Sequence, residues 1–238
     1  MKLAHITAGL LALGAIGLVA GPSSAAVNPN KPKILLHVKA VTTKTPCGIT
    51  ALANICDNAN TRGDLYAAVG SYHMQLIVDL GDSLAAALVN DPLNGVAGVQ
   101  FGINYPEGAA GISIFGWTLC ATLEFASPAP LAWPVSGSGN LITWNAVTAC
   151  QRNRLSCAGF FYLGAYGPGS FRLIKRPADN IAKVADCASL EIVVPESALG
   201  IAAFSSGAVT EGCNPCLVDC APVAVAPTTW SKVKTLLN

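Results

Sequence analysis

Charged side chains are scarce in this chain. Asp, Glu, Lys and Arg make up only 11% of its 238 residues, and the formal net charge at pH 7 is +1. Nucleic acids and anionic membrane surfaces attract proteins through concentrated positive charge, which this sequence lacks. We therefore expect neither nucleic acid nor an anionic membrane surface as a partner.

Long apolar runs are also missing after the N-terminus. Every later apolar run is cut by Gly, Pro, Asn or a charge well before the roughly 20 residues that a membrane-spanning helix needs. At the N-terminus, Lys2 precedes an apolar stretch over 6–20, and small residues follow at 24–26. This pattern predicts a signal peptide over 1–26, cleaved after Ala26 or alternatively after Ala25. The mature chain is then expected to be secreted, extracellular or at the cell surface, with the periplasm as an alternative, and without a membrane span.

Catalytic sets are lacking as well. Beyond the signal peptide only His37 and His73 could serve as a base, and both occupy outward positions in strand patterns. We interpret them as surface histidines rather than members of a catalytic triad. No G-x-S-x-G elbow is present, and the glutamates stand apart from one another. The sequence therefore predicts that the protein is not an enzyme.

What the chain does contain is strand alternation, punctuated by 23 Gly and 15 Pro. Apolar residues alternate with polar ones in about ten short segments. These segments are 34–40, 72–78, 97–105, 117–125, 141–144, 159–165, 171–175, 182–186, 190–194 and 201–204. No long helical segment intervenes, so we predict an all-β, two-sheet antiparallel sandwich, jelly-roll or Ig-like, braced by disulfides. Segment 159–165 is apolar on both faces, which predicts a central strand.

The predicted domain organisation has three parts. The signal peptide is followed by a β-sandwich domain over 27–220, in which residues 42–64 form a polar loop closed by a disulfide. Residues 221–238 are predicted to be a Pro-rich linker and a short C-terminal helix. In that helix Trp230, Val233 and Leu237 share one face. They are read either as a docking tail or as a helix packed back on the sandwich.

All nine cysteines follow the predicted cleavage site. An exported chain with so many cysteines should form disulfides, and an odd number leaves at least one thiol free or bound to another molecule. We predict the pairs Cys120 with Cys150, Cys187 with Cys216, and Cys47 with Cys56. The close spacing at 213–220 could also suggest a zinc or redox motif, but no His or second C-x-x-C follows, which favours disulfides.

Several segments resemble known modules. The alternating stretch from Val96 to Tyr105, the preceding Gly81-Asp82, and the segments 158–162 and 182–187 resemble cohesin modules over residues 70–205. This resemblance implies a sandwich fold and binding to a protein or to a surface scaffold. Segments around Trp117, Trp144, Cys187 and Cys213, with the tail Thr228-Thr229-Trp230-Ser231-Lys232-Val233-Lys234, resemble an uncharacterised family of exported proteins from uncultured bacteria. That family has no assigned activity, and Ser231 stands where its TTWxxVK tail is expected to carry Gly.

Two further features suggest binding sites. Trp133 lies between Pro130 and Pro134 in a predicted loop, where a sugar or a protein partner could stack on it, although packing on the core is an equal alternative. The loop residues Asp79, Asp82 and Asp91 could ligate structural Ca²⁺, but turn capping is the stronger interpretation. No other cofactor is expected.

Together these features predict a secreted or cell-surface β-sandwich module that binds an unknown protein or takes part in surface assembly, without catalysis. The alternative is a carbohydrate-binding module, which would use Trp133 with Tyr105 or Tyr166 to bind a glycan. A secreted hydrolase is the third reading, and it requires a cleft with close carboxylates or a histidine.

Overall fold

The computed structural model describes residues 31–42, 47–63, 70–81, 95–204 and 212–221. The predicted signal peptide, the tail residues Trp230, Val233 and Leu237, and the loop residues Asp82 and Asp91 lie outside these ranges. Within them, no helix has the length and apolar character that crossing a membrane requires.

The described ranges form eleven strands and three single 3₁₀ turns. The strands are β1 (Lys33–Ala40), β2 (Gly70–Asp79), β3 (Gly98–Asn104), β4 (Ile112–Leu119), β5 (Leu123–Ala126), β6 (Gly139–Thr143), β7 (Leu155–Ala165), β8 (Gly169–Ile174), β9 (Lys183–Ala185), β10 (Glu191–Val193) and β11 (Ile201–Phe204). The turns are Thr50–Leu52, Cys56–Asn58 and Glu196–Ala198.

These strands build two antiparallel sheets. The first sheet has the order β1-β2-β7-β4, and the second has β10-β9-β3-β6-β5, with β8 joining β3 to β11. The prediction of an all-β, two-sheet sandwich with disulfides is confirmed. The strand at 159–165 is also central as predicted, because β7 lies between β2 and β4.

The core lies between the sheets and follows from the alternation. Tyr72, Met74 and Leu76 project inward from β2, while Val99 and Phe101 project from β3, and all five are fully buried or nearly so. Successive strand residues point to opposite faces, so every second residue contributes apolar area to one core.

One strand prediction is wrong. The segment 117–125 is not continuous: β4 ends at Leu119 in the first sheet, and β5 begins at Leu123 in the second. The chain crosses between the sheets in the intervening residues. The two sheets face each other, so a direction that points into the core from the first sheet points into solvent from the second. Trp117 therefore packs on the core, whereas Leu123 and Phe125 are exposed. The alternation continues through the crossing, which is why the sequence pattern does not reveal it.

The predicted disulfide pairs are also wrong. The structure pairs Cys47 with Cys120, Cys56 with Cys216, Cys150 with Cys187, and Cys213 with Cys220. Cys157 is a free, buried thiol. Cys120 directly follows β4 of the first sheet. The sulfurs of Cys150 and Cys187 instead lie beside Gly95, just before β3 of the second sheet. The wrong assignment of 117–125 therefore placed Cys120 next to the wrong partner.

The predicted polar loop at 42–64 has a structural role in its described part. Residues 47–60, here called the covering segment, lie on the outer face of the first sheet. Leu52, Cys56 and Ala59 of this segment form a second apolar cluster with Leu35, Ile77 and Leu155 of the sheet. The disulfides Cys47–Cys120 and Cys56–Cys216 fasten it, so one part of the outer face is buried as well.

Candidate functional site

The outer face of the first sheet is divided into a covered part and an open part. Strand register places Lys39, His73, Tyr162 and Gly116 side by side across the four strands. The next outward row runs from His37 through Gln75 and Phe160 to Thr118. The covering segment reaches this second row, because Gly48 accepts a hydrogen bond from Gln75 Nε2 at 2.9 Å.

A groove of about 550 Å³ occupies the open part. Its lining residues are Val41, Thr42, His73, Gly116, Thr118, Phe160 and Tyr162. We call this the aromatic groove. Phe115 and Tyr166 extend it along the sheet, and both are exposed, as is Tyr162. Gly164 makes room for them, because a Cβ there would lie 2.7 Å from Phe115 Cζ and 2.8 Å from Tyr166 Oη.

The rings of the aromatic groove are inclined to one another. Phe115 and Tyr162 have centroids 5.2 Å apart and planes at 60°. His73 meets Phe160 and Tyr162 edge-on, at 66° and 67°. The rings therefore form the walls of a hollow rather than one flat platform.

The electrostatics of the groove depend on two residues. Burial lowers the pKa of His73 below its usual value, and the neighbouring Lys39 lowers it further, so His73 is neutral at pH 7. Its Nδ1 is buried and has no hydrogen-bond partner in the part of the chain that the structure describes. None of the ion pairs in the described ranges includes Lys39. The open part of the face thus combines aromatic rings with a positive charge that has no ion-pair partner among the described residues.

The prediction that both histidines lie at the surface is wrong. Their side chains point outward as expected, but His37 is only 9% exposed and His73 only 4%. The covering segment buries His37, whose Nδ1 accepts the Asn60 backbone N–H at 2.9 Å. Burial, with a smaller effect of Lys39, lowers the pKa of His37 to about 4. His37 is therefore a neutral structural residue.

Trp133 is not an exposed platform. Its ring contacts Phe101, Trp117 and Phe161 at centroid distances of 5.2 to 5.6 Å, and it packs against the main core. The loop folds back on itself, and the backbone N–H of Trp133 donates to the backbone O of Ser127 at 3.1 Å. Tyr105 is buried too and stacks on Phe171 at 5.0 Å. Of the aromatic residues considered for glycan binding, only Tyr166 is exposed.

Asp79 lies at the end of β2 and is fully buried. It accepts a hydrogen bond from Arg154 Nε at 2.9 Å, and Lys33 Nζ lies 3.7 Å away. In the described part of the chain, Cys56, Asp79 and Cys216 are the one group of three ligand-type side chains close together. Both sulfurs are in a disulfide, however, and Asp79 is neutralised by two cations. This group fits a structural role better than a metal site.

Cys157 is the odd thiol. Burial raises its pKa to about 12, and its Sγ donates to Gly159 O at 3.5 Å. Since the thiolate is the reactive form, this cysteine is unsuited to act as a nucleophile at neutral pH.

The outer face of the second sheet carries a smaller depression of about 330 Å³ near Gly98 and Ala185. Its charged and amide side chains are already engaged: Lys183 Nζ lies 2.8 Å from Glu191 Oε2, and Gln100 Nε2 donates to Asp179 at 2.8 Å. The aromatic groove, with its exposed rings and with Lys39 nearby carrying no ion pair within the described ranges, is the stronger candidate for binding.

The sequence analysis did not identify Phe115 and Tyr162 as site residues. The signal that could have found them is the aromatic outward face of the central strand β7. A central strand whose outward side chains are large and aromatic needs something to cover them, either from the chain or from a partner.

Comparisons with known proteins gave structural neighbours only. No family model matches the sequence, and no curated protein matches it. A cohesin module from a Clostridium perfringens family 33 glycoside hydrolase is similar in structure, with 10% identity, a TM-score of 0.40, and 74% of this chain and 97% of that chain covered. The sixth cohesin of Acetivibrio cellulolyticus scaffoldin B, solved in complex with a Cel5 dockerin variant, is also similar in structure. Its identity is 8% and its TM-score is 0.39, with 73% of this chain and 98% of that chain covered. The similarity to the exported family with a TTWxxVK tail stays a prediction.

Proposed function

We propose that this chain is an exported, non-catalytic module that binds a protein partner in the aromatic groove. The observation that carries the proposal is the continuous exposed aromatic surface of Phe115, Tyr162 and Tyr166 beside the groove. Contiguous apolar surface on a soluble protein marks interaction sites, and aromatic residues dominate the binding energy of protein interfaces.

The ring geometry favours a protein over a glycan. A sugar ring binds best by lying flat on an exposed aromatic face, whereas the rings here meet one another at 60° or more. A hollow with inclined aromatic walls accepts a single inserted side chain more readily. The half-buried position of Trp133 also removes the main feature that suggested a carbohydrate-binding module.

The titratable groups support a role without catalysis. His37 is held neutral in the folded chain by burial, and its Nδ1 accepts a backbone hydrogen bond. The thiol of Cys157 is buried and its pKa is raised to about 12. General bases and nucleophiles work best when their pKa lies near the operating pH.

The disulfides support export. Four of them occur in the described ranges, and such bonds persist in oxidising compartments outside the cytosol. This agrees with the predicted signal peptide, and we place the working protein outside the cell or at its surface.

The test compares two phenylalanines that are matched in exposure. Phe115 is 49% exposed on edge strand β4, and Phe125 is 51% exposed on edge strand β5 of the other sheet. Disulfide-bonded protein is offered a displayed library of random linear peptides and, separately, a glycan array. We expect peptides to be selected, and their affinity to fall about tenfold or more in Phe115→Ala and Tyr162→Ala but to stay unchanged in Phe125→Ala.

Two results would contradict the proposal. Selected peptides that bind Phe115→Ala and Tyr162→Ala as tightly as the unmodified chain would remove the groove as the site. Glycan binding that is lost in Tyr162→Ala, with no peptide selected, would instead establish the carbohydrate-binding alternative.

A further inference from the structure

We infer that the partner of the aromatic groove is an extended segment that adds a β-strand to the free edge of β4 and places an apolar side chain in the groove. This inference rests on the proposed function. It goes further by specifying the backbone conformation of the partner, the strand that receives it and the chemistry of its side chains.

β4 lies at one edge of the first sheet, and β1 lies at the other. In the described ranges the residues of β4 from Ser113 to Leu119 make backbone hydrogen bonds to β7 and to no other segment. The opposite edge of the sheet is different, because Asn60 and Gly200 provide backbone hydrogen bonds to β1. An edge strand with unpaired N–H and C=O groups is a template for pairing with another chain.

The hydrogen-bond pattern shows which groups are available. The backbone N–H of Cys120 donates to the backbone O of Ala158, the residue directly opposite it, at 3.0 Å. Thr118 lies directly opposite Phe160, two residues back along the same pair of strands. In an antiparallel pair, every second residue directs its backbone groups to the neighbouring strand. Thr118 and Gly116 therefore bond β7, whereas Trp117 and Leu119 direct their N–H and C=O groups to the free edge.

β4 has little of the usual protection of an edge strand. Natural edges are kept from pairing by charged side chains, especially lysine, by proline or by β-bulges. The sequence of β4, Ile-Ser-Ile-Phe-Gly-Trp-Thr-Leu, has no charge and no proline. A register shift between Ile114 and Gly116 interrupts the strand there, and Phe115 projects into solvent. The regular, uncharged edge that can accept a strand therefore runs from Gly116 to Leu119.

Gly116 connects this edge to the groove. It belongs to the outward row of Tyr162, His73 and Lys39, and a Cβ at this position would meet nothing within 4 Å. A partner residue opposite Gly116 would continue that row, and its side chain could pass over the glycine onto Tyr162. A larger residue at 116 would close this passage.

Charge indicates the remaining chemistry of the partner. Lys39 lies at the far end of the same row and has no ion pair in the described ranges. Its charge is close enough to lower the pKa of His73 inside the groove. The partner that fits is thus an extended segment with alternating apolar or aromatic residues and an acidic residue near the groove.

The experiment uses full-length disulfide-bonded protein and library-selected linear peptides of about ten residues, long enough for one strand. Amide hydrogen exchange is measured with and without the peptide. We expect exchange at the Trp117 and Leu119 amides to slow at least tenfold on binding, whereas the Thr118 amide, already bonded to β7, stays protected in both states. Gly116→Lys should weaken peptide binding about tenfold or more, whereas Phe125→Lys, the control that adds the same charge to edge strand β5 of the other sheet, should leave it within about twofold.

The outcomes separate the two proposals. Peptides that depend on Tyr162 but leave the Trp117 and Leu119 amides unprotected would overturn strand addition and leave the groove as the binding site. The Gly116→Lys variant should fold, because a Cβ at this position meets nothing within 4 Å. If this variant binds the peptides as tightly as the unmodified chain, strand addition is overturned as well. Peptides that bind independently of Tyr162 would contradict the proposed function itself.

Discussion

Asp79 shows how one buried charge stabilises the junction of three segments. Its carboxylate is fully buried beside Lys33 and Arg154, and Lys33 is itself only 3% exposed. Removing one member of a buried charge group leaves the others uncompensated. We expect Asp79→Asn to lower the free energy of unfolding by about 3 to 5 kcal/mol in urea denaturation.

The control for this prediction is a surface pair. Lys183 and Glu191 are 2.8 Å apart, but Glu191 is largely exposed, and such pairs contribute about 1 kcal/mol or less. Glu191→Gln should therefore change stability little. Equal losses in the two variants would mean that the charges at Asp79 are solvated in solution.

His37 makes the stability depend on pH. Its pKa is about 4 in the folded chain and about 6.5 when unfolded, so the unfolded state binds the proton more tightly. The contribution of the neutral imidazole is complete above pH 6.5 and decreases as the pH falls toward 4. Between pH 7 and 4.5 we expect a loss on the order of 2 to 3 kcal/mol, measured as a falling urea midpoint.

Substitution separates this effect from other titrations. Gln at position 37 can still accept the Asn60 N–H but does not titrate, so His37→Gln should flatten the pH dependence between 6.5 and 4.5. A smaller slope should remain, because burial also lowers the pKa of His73. An unchanged slope in His37→Gln would assign the effect to other groups.

At the scale of elements, the covering segment depends on its disulfides. Cys47–Cys120 joins residues 73 apart in sequence, whereas Cys213–Cys220 joins residues 7 apart. A cross-link restricts the unfolded chain more when it closes a longer loop, by about 4 kcal/mol for the first bond and about 2 kcal/mol for the second. We expect Cys47→Ser/Cys120→Ser to lose about twice as much stability as Cys213→Ser/Cys220→Ser in guanidinium denaturation. The reverse order would show that the covering segment holds the sheet without its disulfide.

Element by element, alternation predicted where strands occur but not which sheet they join. The pattern placed β1, β2 and β3 closely, since every second residue of each is apolar and belongs to the main core. It failed at Cys120, where the chain changes sheets without interrupting the alternation. Sheet membership depends on long-range pairing, which no local pattern encodes, and the disulfide assignments failed for the same reason.

At the scale of the whole molecule, strand alternation and composition predicted the class of fold but not the site. Alternating segments, many glycines and nine cysteines indicated a disulfide-braced sandwich before any contact was known. The aromatic groove required knowing that β7 is covered on one part of its outer face and open on the other. That distinction depends on which outward side chains the covering segment contacts, and those contacts join residues far apart in sequence.

The odd cysteine permits a test of the complete architecture. Cys157 is buried and its thiol pKa is raised to about 12, so alkylating reagents at neutral pH should reach it only when the sandwich opens. We expect one reactive thiol per chain in guanidinium and none on the same timescale in buffer. Peptide mapping without reduction should give the four pairs of the structure. Rapid labelling in buffer, or a peptide linking Cys47 to Cys56, would contradict this arrangement. A hidden thiol of this kind also explains how a chain with nine cysteines can avoid linking to other molecules through the unpaired one.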